Sequence, residues 1–231
     1  HRTSRRQRQM CIRDSNTVDV VVLGGGAAGL FAAATAAQRG RRVAVLEVSN
    51  KFGKKILMSG GGRCNFTNLD VSADNFICAN PHFVKSALAQ YTNWDFIGLV
   101  AKYDIAYHEK AHGQLFADES AKQILNMLLE ECRQAGVALY LNCDVSEVAH
   151  DGCYTLDTSL GQFECESLIV ATGGLSIPTL GGATGFGYRL ARQFGLQVND
   201  TDASLVPFTL SGVWHEAAQS LSGVALPVLS L

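Results

Sequence analysis

Three glycines and one carboxylate carry the clearest chemistry in this chain. Gly24, Gly26 and Gly29 satisfy G-x-G-x-x-G, and Glu47 follows about 20 residues on. In such a pattern the first glycine permits a tight turn and the second clears the backbone for a pyrophosphate. The third lets a helix pack close to a strand. A carboxylate at position 47 accepts hydrogen bonds from an adenosine ribose and repels a 2′-phosphate, so the pattern suits FAD or NAD rather than NADP.

These residues need a strand, a turn, a helix and a second strand to bring them together. Val18 to Leu23 is a nearly continuous apolar run rich in β-branched residues, as expected of a strand buried on both faces of a parallel sheet. A helix over Ala27–Gln38 follows, ending near Gly40. The backbone N–H groups of Ala27 and Ala28 lie in its first turn, where the helix dipole favours phosphate. Val43–Leu46 is the second strand, and Glu47 stands at its end.

A second glycine-rich stretch, Lys51 to Asn68, reads KFGKKILMSGGGRCNFTN. Gly60, Gly61 and Gly62 make a loop whose backbone can approach a ligand. Lys54, Lys55 and Arg63 supply positive charge, and Ser59, Asn65, Thr67 and Asn68 supply neutral hydrogen-bonding groups. Cys64 has no partner at C-x-x-C spacing and reads as a packed thiol. A third stretch, Leu168 to Gly174 (LIVATGG), is a strand ending in Ala171, Thr172, Gly173 and Gly174, whose glycines let the chain pass beside a dinucleotide at the carboxyl edge of the sheet. This second signature separates two-segment FAD binding from a plain NAD unit.

Between these motifs, two short amphipathic helices are expected over Phe83–Tyr91 and Trp94–Tyr103, and an extended or hairpin excursion over Ile105–Asp118. A helix from a Ser120/Gln123 capping box to about Arg133 is closed by Gly136. Val137–Val148 reads as one strand, and Cys153–Phe163 as strand, turn and strand, together a three-stranded meander. Tyr188–Phe194 reads as a helix ended by Gly195. Tyr107, His108 and His112 are acid–base candidates on residue type alone, and no third ligand turns the histidines into a metal site.

Residues 1–15, HRTSRRQRQMCIRDS, carry five arginines, one acid and no apolar periodicity, and read as a disordered tail or non-native extension rather than a signal peptide. Without them the chain has 14 basic and 20 acidic residues, a balance of −6, which gives no reason to expect nucleic acid. The glycines and Asp19 within the apolar run 18–37 argue against a membrane span. Seven scattered cysteines suit reduced thiols and a cytoplasmic location.

The combination of G-x-G-x-x-G, Glu47 and GKKILMSGGGRCNFTN resembles the bacterial BaiN/YhiN-like flavoproteins, described as NAD(P)/FAD-dependent or aminoacetone-oxidase-type oxidoreductases. The resemblance implies FAD, with its pyrophosphate on the Gly24–Gly29 turn. It places Lys55 and the segment Ser59, Gly61, Gly62, Arg63, Cys64 and Asn65 nearer the flavin, and it implies that Val145 lends its backbone to the adenine. Ser176, Pro178, Gly181, Gly182, Thr184, Gly185 and Gly187 also follow the family's manner, whereas Phe186 stands where the family has an acid. From Asp200 onward the resemblance implies the start of an inserted β-rich domain, and at Leu231 the chain reads as an N-terminal fragment.

The expected fold is thus α/β, a Rossmann-like FAD-binding domain of glutathione-reductase type over residues 16–200, followed by the beginning of the inserted domain over 201–231. The expected function is FAD-dependent hydride transfer to a small-molecule substrate, with NAD(P)H as a possible electron donor inherited from the resemblance and no membrane partner. The alternatives are a non-catalytic flavin- or NAD-binding sensor or scaffold, and a plain NAD-dependent dehydrogenase.

Overall fold

The computed structural model describes residues 16–175, 184–201 and 209–221. The chain divides into two compact units, His1–Leu196 and Gln197–Leu231. In the second, the described residues form one helix, α7 (Val213–Ser220). Residues 202–208 and 222–231 of the expected β-rich domain, the loop residues Ser176, Pro178, Gly181 and Gly182, and the basic stretch 1–15 lie outside the described residues.

The first unit is built on a six-stranded sheet. Its strands are β1 (Asn16–Leu23), β2 (Val43–Leu46), β6 (Ala138–Tyr140), β7 (Val145–Asp151), β8 (Cys153–Thr158) and β9 (Gly161–Val170), in the order β6-β2-β1-β9-β8-β7. β6, β2, β1 and β9 run parallel, whereas β9, β8 and β7 form an antiparallel meander. Strand alternation divides the apolar run of β1 between two cores. Val20 and Val22 face one cluster with Leu30, Ala33, Leu128 and Cys132, while Val21 and Leu23 face another with Val148, Leu156, Phe163 and Leu190. Burial on both faces is why the strand reads as unbroken valine and leucine.

Helix α1 (Ala27–Gln38) and helix α5 (Ala121–Gln134) cover the first of these faces. Helices α2 (Lys54–Met58) and α4 (Asn93–Lys102) complete that side, α3 (Lys85–Gln90) has no buried residue, and α6 (Phe186–Gln193) sends Leu190 into the second core. A small antiparallel sheet, β3-β5-β4, joins β3 (Asn65–Asn68) to the hairpin of β4 (Tyr107–Glu109) and β5 (Gln114–Ala117). The hairpin matches expectation. β3 corrects the reading of Asn65–Asn68 as loop, because that segment pairs with Gln114–Phe116.

Three further expectations change. Val137–Val148 is not one strand: β6 and β7 are separate, broken where Asn142 turns left-handed at φ 53°. Only residues 141–144 join these two end strands of the sheet order, so the sheet curls back and the meander covers its second face. Leu168–Val170 is not a new strand either. It is the second half of β9, whose first half closes the meander. Ser120 caps α5 by accepting from the Lys122 N–H, but the reciprocal half of the capping box is missing, because the Gln123 side chain donates to Glu119.

One buried carboxylate ties the helical layer together. Glu131 on α5 is 8% exposed. It accepts hydrogen bonds from Gln38 of α1 (2.8 Å), Lys102 of α4 (2.7 Å) and Tyr103 just beyond it (2.8 Å). The bond from Lys102, with help from Tyr103 and Gln38, outweighs burial and holds the carboxyl below its ordinary value of 4.5. A depressed folded value means that this stabilisation is complete above the unfolded value and is lost as pH falls through the folded one. Glu131→Gln should therefore cost about 1–3 kcal/mol at neutral pH. The gap between variant and parent in urea unfolding should shrink below pH 4.5; a gap that does not change with acidification would contradict this role.

Candidate functional site

A cleft of about 1050 Å³ opens at the carboxyl ends of β1 and β9, within the first unit. That volume is at the upper end of ligand sites, which run to roughly 1,000 Å³. Its floor is made where the two strands lie side by side, with Leu23 opposite Val170 and the Ala171 N–H donating to the Leu23 carbonyl at 2.8 Å. The two glycine turns predicted from distant parts of the chain therefore meet at one sheet edge.

The glycines of the first turn divide by duty. Gly24 has φ +104°, and a Cβ there would sit 2.5 Å from the Ala171 carbonyl oxygen. A Cβ on Gly29 would lie 1.8 Å from the Gly24 carbonyl oxygen, and one on Gly25 2.2 Å from the Phe52 ring. These three are required by the fold itself. Gly26 differs: its φ is −87°, and a Cβ would meet nothing within 4 Å. The protein has no packing reason for a glycine at 26, so the open space beside it belongs to the cleft. Gly26 also caps α1 without a side-chain hydrogen bond, and Ala27 and Ala28, both exposed, line the cleft. The first N–H groups of this helix are left for an anion.

Glu47 lines the same wall, and its carboxylate accepts from the Gly25 N–H at 2.7 Å and the Ser49 N–H at 2.9 Å. It braces the glycine turn against the loop after β2. A carboxylate has about four lone-pair sites, so roughly two remain for a ligand hydroxyl.

Across the cleft stand Lys51, Lys54 and Lys55, together with Ser59, Cys64 and Asn65. The Lys55 ammonium reaches the second turn and donates to the Gly174 carbonyl at 3.3 Å. Ala171, Thr172 and Gly173 are on the wall, and Gly174 is held just behind it by Lys55. Cys64 is buried, and burial pushes its thiol up against the opposing effect of a Ser59 hydrogen bond. A thiol held protonated in this way is a packing group, not a nucleophile.

Several expected residues lie off the wall. Gly60, Gly61 and Gly62 take φ of 59°, 65° and 88°, and this left-handed path carries the chain against the Phe116 ring instead of along the cleft. Arg63 is consequently exposed, with its backbone bonded to Gly60 and Ala117. Val145 begins β7 and packs on the second core under the meander. Tyr107 packs its ring on Phe66, His108 pairs with Asp118 at 2.6 Å, and His112 sits in a left-handed turn of the hairpin, so none of the three acid–base candidates lines the cleft. Phe186 packs on the second core under Arg189, which accounts for an apolar residue there.

The cleft also has an apolar half that local sequence patterns do not mark. Phe31 of α1, Leu88 of α3, Phe96 of α4, Leu128 of α5, and Phe66 and Tyr91 form it, with the Phe31 and Tyr91 rings 4.7 Å apart. Each reads in sequence as an ordinary core position. Tyr188 and Gly187 of α6 complete the opposite rim.

The chain matches curated relatives over about half their length. It is 54% identical to a ribosomal RNA dihydrouridine synthase of Escherichia coli (strain K12), over 90% of this chain and 52% of that protein. It is 30% identical to a 3-dehydro-bile acid delta(4,6)-reductase of Clostridium scindens, over 80% of this chain and 46% of that protein. Among solved structures, the 3-ketosteroid-delta4-(5alpha)-dehydrogenase of Rhodococcus jostii RHA1 superposes with a TM-score of 0.52 at 16% identity, covering 72% of this chain and 48% of that one, which shows a shared fold. The fold is Rossmann-like, with a meander on one face of the sheet and helices on the other. Residues 18–229, which contain the whole cleft, match the family described as HI0933-like protein Rossmann domain, and this chain belongs to it.

Proposed function

We propose that this chain is the cofactor-binding part of an FAD-dependent reductase that adds hydrogen across a carbon–carbon double bond conjugated to a carbonyl, with uracil in RNA as the favoured substrate. The observation that carries the FAD reading is the open space beside Gly26, between an uncapped helix N-terminus and the second glycine turn. The residues present fit the cofactor. The N–H groups of Gly26, Ala27 and Ala28 and the lysines opposite would hold the pyrophosphate, and Glu47 would accept from a ribose hydroxyl. The aromatic wall of Phe31, Phe66 and Phe96 would exclude water and offer faces for a planar ring.

Conjugate reduction is supported by the relatives' named activities. Dihydrouridine is uridine with two hydrogens added across a double bond conjugated to a carbonyl, and a Δ4,6-reductase of a 3-oxo bile acid performs the same class of addition. FAD, when bound, supplies a two-electron hydride for that chemistry. RNA as substrate rests on the higher identity of the dihydrouridine synthase, since the acidic charge balance offers it no electrostatic support. The resemblance to BaiN/YhiN-like flavoproteins suggests NADH or NADPH as the reductant.

Gly26→Val should leave apoprotein stability within about 0.5 kcal/mol of the parent, because the added methyls meet open space. It should weaken FAD binding at least roughly 100-fold, about 2.7 kcal/mol. Unchanged FAD affinity, measured by flavin fluorescence titration, would remove the pyrophosphate assignment. For the reaction, protein reduced anaerobically with NADPH should regain its oxidised flavin spectrum on addition of unmodified ribosomal RNA, and one uridine should gain the mass of two hydrogens. Reoxidation by cyclohex-2-enone without any change in RNA mass would keep conjugate reduction and discard the uracil.

A further inference from the structure

Conjugate reduction needs a proton as well as a hydride, and none of the acid–base candidates in the hairpin lies on the cleft wall. Resting on the reading just given, we propose that Tyr188 is the proton donor. Its placement follows from the residues around it. Phe186 and Leu190, four apart on α6, face the second core and set the helix's orientation. Gly187 lies between them, where a Cβ would come within 2.7 Å of the Thr172 hydroxyl, so glycine allows α6 to press directly on the second turn. The Tyr188 ring then lies on the cleft rim, and its hydroxyl stands 3.2 Å from where a Cβ of Gly174 would be. Among the described residues no group takes up the hydrogen-bonding capacity of that hydroxyl.

Lys55 holds the same glycine from the other side, donating to the Gly174 carbonyl at 3.3 Å. A phenol and an ammonium thus approach the same residue of the turn. The other groups of the wall are less suited. Glu47 is engaged by two N–H groups, Cys64 is buried, and Tyr91 is packed on Phe31, with burial first and then Asp95 and Glu131 making it a weaker acid.

FAD, when bound in reduced form, would supply the hydride for the new C–H bond at the carbon β to the carbonyl, leaving the π pair of the double bond on the α carbon and carbonyl oxygen. The Tyr188 O–H bond breaks and its proton forms the C–H bond at the α carbon, while the tyrosinate regains a proton from solvent. The substrate gains two electrons and two hydrogens, and the flavin is oxidised.

The test uses Tyr188→Phe, which keeps the ring and removes the acid. Flavin content and the rate of flavin reduction by NADPH should be unchanged. Reoxidation by cyclohex-2-enone should slow at least about 100-fold, within the usual range for a lost general acid, and the solvent deuterium effect of the parent should disappear. Binding of 4-hydroxybenzaldehyde to the oxidised protein, read from the visible spectrum, should weaken about tenfold for want of the hydrogen bond. Fluorotyrosine at 188 should restore reoxidation and move the alkaline limb of its pH profile to lower pH. A Phe variant with the parent's reoxidation rate and solvent isotope effect would overturn the proposal while leaving conjugate reduction intact. A parent protein that reduces neither cyclohex-2-enone nor RNA would remove both.

Discussion

The parallel pairing of β1 with β9 is the constraint on which the site depends. It places residues near 23 beside residues near 170, and the hydrogen bond from Ala171 to Leu23 carries the register one step past the sheet. Beyond that point both chains must turn, and there is room for only one set of side chains. Gly24 gives up its side chain to the Ala171 carbonyl, and Gly29 gives up its own so that α1 can start directly above the turn. The cleft results from two strand ends brought too close to fill the space between them.

Carboxylates then fix what the glycines leave loose. A glycine-rich turn loses more chain entropy on ordering than any other kind. Glu47 meets this by bonding the Gly25 N–H and the Ser49 N–H together, at the N-terminal end of α1 where negative charge is favoured. Glu131 acts similarly in the helical layer, where its three donors come from two different helix ends. With these elements held, Gly26 is left as the position whose missing side chain serves no part of the protein's own packing.

The nucleotide-binding half of the fold was legible because each signal was local. β1 and β2 are buried on both faces and read as unbroken apolar runs, α1 has its glycine before it, and the acid ends its strand. Where one element changes surroundings along its length, the reading divided it wrongly. β9 begins as GQFEC, sandwiched from Phe163 between β8 and β1, passes through the exposed Glu166 and Ser167, and continues as LIV paired with β1 alone. Its pattern therefore changes without any break in the backbone. The opposite error fell at Leu141–Asp144, where alternation continues across an asparagine that turns left-handed. The apolar half of the cleft was invisible for another reason: Phe31, Phe96 and Leu128 lie on three helices at ordinary core spacing, and only their shared opening distinguishes them.

Helix α6 shows how a departure from an expected pattern can be compensated. An acid in its first turn would suit the helix dipole, whereas Phe186 contributes burial instead, with Arg189 lying 5.7 Å over its ring. An apolar anchor at 186 and another at 190 fix the rotation of the helix more firmly than a solvated carboxylate would, because both must reach the same core. That rotation brings Gly187 onto Thr172 and turns Tyr188 toward the cleft. The residue that looked like a lost polar contact is thus the one that seats the rim of the site.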